Sequence, residues 1–331
     1  MKSPNKTKKS LPIHRIIIGV VGVLVLIWLI LARPSLWPFG KVEYVGQIVS
    51  PQNLKDHVRK LSVDLAPRSF RNRENLNLVA DYIKQQLQKS GGRTDEQVYR
   101  VGTHDYRNII SEYGPTDGKM IVVGAHYDGA DSFPAADDNA SGVAGLIELG
   151  KLLGHEKLTK RIVLVAFTLE EPPFFRTQDM GSAVYAKALR DAGEDVELMI
   201  SLEMIGYYSD AWFSQDYPMP LLYLFYPTKG NFITVVDRVF STKAQKVKGL
   251  MSDVMTLPVY SINAPTALPG IDFSDHRNFW LNDYPAVMIT NTAFNRNKAY
   301  HTSRDTYDRL DYEKMAEVVH GVYNTITNSS D

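Results

Sequence analysis

The chain has no cysteine among its 331 residues, which removes disulfides, thiolate metal ligands and a cysteine nucleophile together. Any metal must therefore be held by histidine and carboxylate side chains. The absence leaves the compartment open, since a cysteine-free chain suits an oxidising exterior and the cytosol alike. Net charge is also missing: 37 Lys and Arg balance 37 Asp and Glu, so no broad electrostatic field marks nucleic acid as a general partner. No internal repeat or long low-complexity tract is present, and the length suits one α/β domain of about 250 residues with an N-terminal appendage.

Long apolar runs are scarce too, with one exception. Residues 16–32, IIIGVVGVLVLIWLILA, carry no charge and follow Lys2, Lys6, Lys8, Lys9 and Arg15. As a helix this run spans about 25 Å, the short end of a membrane crossing. A signal-peptide cleavage site needs a small residue where Ile30 stands, so the expectation is an uncleaved transmembrane helix. Its basic tail, residues 1–15, faces the cytoplasm, Trp28 and Trp37 lie near the interfaces, and the rest of the chain lies outside the cytoplasm on its periplasmic or extracellular side. Residues 33–41 form a Pro- and Gly-containing linker, and residues 42–331 the catalytic domain.

Within that domain Leu54, Val58 and Leu61, then Leu76, Val79, Ala80, Ile83 and Leu87, recur at helical spacing. Val98 to Val101 and Asn108 to Ser111 read as strands. Met120 to Val123 is a continuous apolar run ending near His126 and Asp128, and Asp137, Asp138 and Asn139 open a helix marked by Val143, Leu146 and Ile147. In open α/β sheets ligands collect at the carboxyl ends of strands, where loops converge over a rigid floor. An imidazole and a carboxylate from neighbouring segments suit Zn2+, with Asp128 orienting His126.

Further strands are expected at Arg161 to Thr168, Val196 to Ile205, Leu221 to Phe225 and Pro285 to Thr290, and helices at Gly181 to Gly193, Phe232 to Phe240 and Tyr312 to Ile326. Gly270 to His276 reads as a polar turn. Glu170 and Glu171 follow the second buried strand, where adjacent carboxylates are costly without a cation. Their side chains point in different directions, so one can ligate while the other handles protons. Glu203 sits among Leu202, Met204 and Ile205 and needs a partner.

GAHYD, ADDNASG, a strand followed by EE, LEMIGY, SDH and YHTSRDT occur in that order. As a set they resemble the peptidase 28 family of co-catalytic zinc aminopeptidases and carboxypeptidases, across about residues 52 to 326. The resemblance implies a three-layer α/β/α fold with a central, mostly parallel mixed sheet. It implies two Zn2+ per chain bridged by Asp138, one completed by His126 and Glu203 and the other by Glu171 and His301. Glu170 would be the general base, Asp128 would orient His126, and Asp275 and His276 would support the site or touch substrate. The family commonly has Asp where this chain has Glu203, which leaves that metal's coordination open; Mn2+ or Co2+ also suit carboxylate-rich pairs.

Two metals lower the pKa of a shared water toward about 7 and polarise the scissile carbonyl. The expected activity is thus a peptide-hydrolysing exopeptidase, an aminopeptidase before a carboxypeptidase. Alternatives of other classes are a glutaminyl cyclase-like mono-zinc acyl transferase and a non-catalytic receptor-like relative. Pro172 to Phe175, Tyr207, Tyr208, Trp212 and Phe213 are candidates for an apolar side-chain pocket, and Arg176 or Arg277 for a carboxylate clamp.

Overall fold

A computed structural model describes residues 13–32 and 48–328, without the side chains at 28 and 30–32. The expected linker 33–41, the start of the catalytic domain at 42–47, Trp37 and the lysines of the basic tail lie outside the described residues. Ile13–Ala32 is a helix (α1). Among the described residues no helix is long and apolar enough to cross a membrane, so the spanning segment expected at 16–32 is not found there.

Eight strands make one sheet: β1 (Arg93–Val101), β2 (His104–Tyr113), β3 (Met120–His126), β4 (Arg161–Phe167), β5 (Val196–Glu203), β6 (Ile233–Arg238), β7 (Val259–Ala264) and β8 (Ala286–Thr290), in the order β1-β2-β4-β3-β5-β8-β6-β7. The central run β4-β3-β5-β8 is parallel, as is β6 with β7, whereas β1-β2, β2-β4 and β6-β8 are antiparallel. This is the mixed sheet expected, and it explains why the central strands read as unbroken apolar runs: both faces are covered.

Alternation sorts the side chains between two cores. Ile121, Val123 and Ala125 join Ile162, Leu164 and Ala166 on one face, while Met120, Val122, Val163, Val165 and Phe167 join the other. The first core is closed by α2 (Pro51–Arg59), α3 (Arg73–Lys89), α4 (Gly142–Gly154), α6 (Lys243–Ser252) and α8 (Tyr312–Asn328), through residues such as Leu54, Ile83, Ile147, Met251 and Val319. The second is closed by α5 (Gly181–Ala192) and α7 (His276–Leu281), through Tyr185, Ala186 and Phe279. Each fully buried aliphatic side chain contributes about 1.5–3 kcal/mol relative to exposure, so helices on both faces hold the strand ends rigidly.

Two expected elements are corrected. Residues 232–240, read as a helix, form strand β6, because Ile233, Thr234, Val235 and Val236 are β-branched and covered on both faces, which hides the period-2 signal. The strand expected at 221–225 is a 3-10 turn over Pro220–Leu224, since Pro220 fixes φ for a helical start and removes a ladder donor. Strand β7 and helix α6 were not expected, and α7 begins at His276, where only a turn was anticipated.

Candidate metal centre

The carboxyl ends of β3, β4 and β5 share one edge, with His126 paired to Phe167 across β3 and β4. His126 and Glu203 are the last residues of β3 and β5, and Glu170 and Glu171 follow β4 by a short turn through Leu169, whose φ is +58°. Asp138 lies in the irregular turn Ala136–Ser141 before α4, and His301 in the loop after β8. The sheet therefore carries four of the six groups into one place, and two loops bring the rest.

Asp138 and Asn139 have non-helical backbone angles within that turn, and hydrogen bonds account for how they are held. The Asp305 carboxylate accepts from the backbone N–H groups of Asp137 and Asp138 at 3.1 Å. Asn139 donates to the Leu202 carbonyl at 2.8 Å and accepts from the N–H of Gly142 and of Met204 at 3.1 Å, which ties the turn to the end of β5. Gly142 makes this approach possible, because a Cβ there would stand 2.6 Å from the Leu202 carbonyl oxygen. Arg68, 1 % exposed, donates to the carbonyls of Tyr127, Leu61, Pro134 and Ala135, each at 2.9 Å. One buried guanidinium thus pins both ends of the loop between His126 and Asp138; burial lowers its pKa to about 10, against the field of Asp138 and Asp128.

The two carboxylate oxygens of Asp138 face different imidazoles. Oδ1 is 3.4 Å from His126 Nε2, and Oδ2 is 3.0 Å from His301 Nε2. Each imidazole has a glutamate of its own: Glu203 Oε2 is 3.4 Å from His126 Nε2, and Glu171 Oε2 is 3.1 Å from His301 Nε2. Glu170 Oε2 stands 3.9 Å from His126 Nε2. The five residues expected to ligate are therefore brought together in the expected pairs, with Glu170 beside them.

Asp128 lies beside His126, and its main chain and carboxylate have separate partners. The hydrogen bond from His126 Nδ1 goes to the main-chain carbonyl of Asp128 at 3.2 Å, while Oδ1 is 3.6 Å away. The carboxylate instead accepts the N–H groups of Glu170 and Glu171, each at 3.1 Å. It fixes the glutamate pair and, from 3.6 Å, also favours the protonated form of the His126 imidazole. Asp275 is buried near His126 and Glu203, and burial pushes its pKa to about 7. His276 Nε2 meets the carbonyl of Ile271, a residue of the apolar pocket wall, at 2.8 Å, and its ring packs edge-on against Trp280. Burial lowers its pKa to about 4.

So much buried acid in one place shifts both imidazoles and the four carboxylates that face them. Burial raises Glu170 and Glu203, with His126 opposing in both. Burial and Asp138 push Glu171 to about 8. Desolvation works against charge on the imidazoles, yet the carboxylates outweigh it, raising His126 and bringing His301 to about 10. Asp138, buried between two imidazoles, is held ionised and below its usual range.

A metal fits this donor set. His126 Nε2, His301 Nε2 and Glu171 Oε1 are buried without a hydrogen-bond partner, and ligating atoms of His126, Asp138 and Glu171 lie within 4.8 Å of one another. Nitrogen and carboxylate oxygen are what zinc accepts.

An apolar pocket opens beside Glu203, walled by Tyr226, Phe232, Ile262, Phe273, Met288 and Tyr300. None of the aromatic residues expected to line it does so: Phe174 packs on Phe70, Tyr208 lies under Arg296, and Trp212 and Phe213 are 72 % and 77 % exposed. Tyr300 stacks on His301 at 3.8 Å between centroids, and burial with the surrounding carboxylates raises its pKa, so its hydroxyl stays protonated. Sequence reasoning missed Arg68, Tyr300, Asn139 and Asp305 as parts of the site; the last three lie within the recognised motifs, whereas Arg68 gave no signal.

A histidine–carboxylate cluster at the parallel edge of a mixed α/β sheet has the donors of a metal centre, and the comparisons give the family. The model of peptidase family M28 matches residues 108–326, and the chain belongs to that family. It is 50% identical over 290 residues to the Escherichia coli (strain K12) protein YfbL, covering 85% of this chain and 88% of the relative. A probable leucine aminopeptidase of Trichophyton verrucosum is 23% identical over 255 residues, 74% of this chain and 63% of that protein. Among solved structures, the Legionella pneumophila LapA aminopeptidase superposes with a TM-score of 0.65 at 20% identity, over 84% of this chain and 71% of that one. The Porphyromonas gingivalis glutaminyl cyclase gives 0.63 at 20% identity, over 85% and 99%. These structural likenesses concern the fold.

Proposed function

We propose that the protein is a two-metal aminopeptidase with Glu170 as its general base. The observation that carries this reading is Asp138, whose two oxygens face two imidazoles, each paired with a separate glutamate. A complete set of this kind supports the two-metal reading over a mono-zinc acyl transferase and over a non-catalytic relative. Zn2+ is the expected metal, held by His126, Asp138 and Glu203 on one side and by Asp138, Glu171 and His301 on the other, with Mn2+ or Co2+ as substitutes. When bound, it supplies Lewis acidity toward a water and the scissile carbonyl.

The chain's own groups do the rest. Asp128 anchors the backbone of Glu170, whose carboxylate would take a proton from water and pass it to the leaving amine. Exclusion of solvent from the cluster, where Glu170 and Glu171 are 7 % and 5 % exposed, strengthens these interactions. The pocket beside Glu203 receives an apolar side chain, and the names of the aminopeptidase relatives support attack from the amino end. Digestion of a peptide library with mass-spectrometric readout tests this: residues should disappear from the amino end, and loss from the carboxyl end would make it a carboxypeptidase.

Residues 16–32 are proposed as a membrane anchor with the catalytic domain outside the cytoplasm. Support comes from the basic residues ahead of the run and from exposed aliphatic side chains in α1, including Ile16 at 53 %, Ile18 at 67 % and Leu24 at 59 %. A reporter fused after Asp331 should work only in an exported compartment.

A further inference from the structure

We propose that Arg176 is a carboxylate clamp that selects short peptides, binding the free α-carboxylate one or two residues beyond the bond to be cut. This rests on the peptidase reading above. Arg176 lies between Glu171 and α5 with a φ of +64°, a left-handed conformation that an arginine keeps only when its surroundings impose it. Its backbone N–H donates to Met180 Sδ at 3.1 Å. Its guanidinium donates to Asp272 Oδ1 at 2.5 Å and lies over the rings of Phe175 and Phe273, 5.4 Å and 5.0 Å from their centroids.

Position and charge both point to a ligand. Phe273 lines the apolar pocket, and from it ring contacts run to Phe294 (6.0 Å), Tyr300 (5.6 Å) and His301 (3.8 Å). Arg176 thus stands at the outer end of an aromatic wall whose inner end is a metal-centre histidine. Asp272, 6 % exposed, also accepts from Arg277 Nε at 3.2 Å. Two guanidinium groups share one carboxylate, so the rim carries one surplus positive charge. A salt bridge joining the two loops needs only one of them.

Arg176 is the more open partner, with 42 % of its side chain exposed against 23 % for Arg277. A guanidinium has five donors, and Arg176 uses one type of contact on Asp272 while the aromatic rings hold its plane. That leaves N–H groups that could bind a second carboxylate, on a side chain that is 42 % exposed. The apolar side chain of the substrate would enter the pocket, and its carboxylate would reach Arg176.

The test uses the zinc-loaded full chain and compares kcat/KM for leucylglycine with that for leucylglycinamide, which differ in the terminal carboxylate alone. The native enzyme should favour the acid by about tenfold to a hundredfold, the worth of one charge-assisted hydrogen bond. Arg176→Met should bring the ratio close to one by raising KM for the acid, and Arg176→Lys should restore part of it. Equal rates on both by the native enzyme, or an undiminished preference in folded Arg176→Met and Arg176→Lys, would overturn the clamp while leaving the peptidase reading intact. Failure to cleave either dipeptide or an aminoacyl nitroanilide would overturn the peptidase reading, and the clamp with it.

Discussion

Replacing Asp128 by Asn changes one atom and separates two accounts of how the centre is held. The carboxylate accepts the N–H groups of Glu170 and Glu171 at 3.1 Å each, in a region where both glutamates are almost fully buried. An Asn side chain keeps one acceptor oxygen and turns an NH2 group toward the other N–H, leaving that donor unpaired. Losing one charge-assisted hydrogen bond costs about 1.5–3 kcal/mol. For a domain of this size that lowers Tm by roughly 5 °C. Because the residues displaced are the proposed base and a proposed metal ligand, kcat/KM should fall by about 10- to 100-fold, and zinc should bind more weakly by a similar factor. The assay is hydrolysis of leucine p-nitroanilide, with zinc per chain by atomic spectroscopy and Tm by calorimetry. Asp128→Asn with native Tm, zinc content and kcat/KM would refute the reasoning. Selective loss of the zinc on the His126 side would instead show that the carboxylate acts through the imidazole.

Other predictions follow from the same geometry. Glu170→Gln should retain metal and fold while lowering kcat by about 10²- to 10⁴-fold, whereas Glu171→Ala should lose metal; zinc analysis beside kcat distinguishes them. Prolonged chelation should abolish hydrolysis and zinc should restore it, and activity that survives chelation would remove the metallohydrolase reading. His276 bears on acid stability: unfolded, it takes a proton near 6.5, but burial lowers it to about 4. The unfolded state therefore binds more protons between those values, so stability is lost as pH falls through that window, by about 2 kcal/mol from pH 7 to pH 5. His276→Gln should flatten this part of the urea-midpoint profile, and an unchanged slope would count against a buried neutral imidazole.

Much of the centre was legible because its residues sit at the ends of strands with an unmistakable apolar signature. Met120 to His126 and Val196 to Glu203 are buried on both faces, so a polar residue at their ends stands out. The same burial defeated the reading of residues 232–240, where Val235 and Val236 face opposite cores and no period survives. Arg68 was invisible for a different reason. It acts on four backbone carbonyls, two of them more than sixty positions away, and backbone acceptors leave no trace in residue identity. The pocket was misplaced because exposed and buried aromatics look alike in sequence: Trp212 and Phe213 face solvent, while Phe232 and Tyr226 turn inward on the pocket.

The measurement that tests the two-metal centre most directly is zinc per chain for the native enzyme and three variants, purified under identical conditions. The account predicts near two equivalents for the native chain, one each for Glu203→Ala and His301→Ala, and none retained by Asp138→Ala, because among the described residues only Asp138 has oxygens within 3.4 Å of both imidazoles. A native chain that holds a single equivalent, or an Asp138→Ala variant that keeps both, would contradict it.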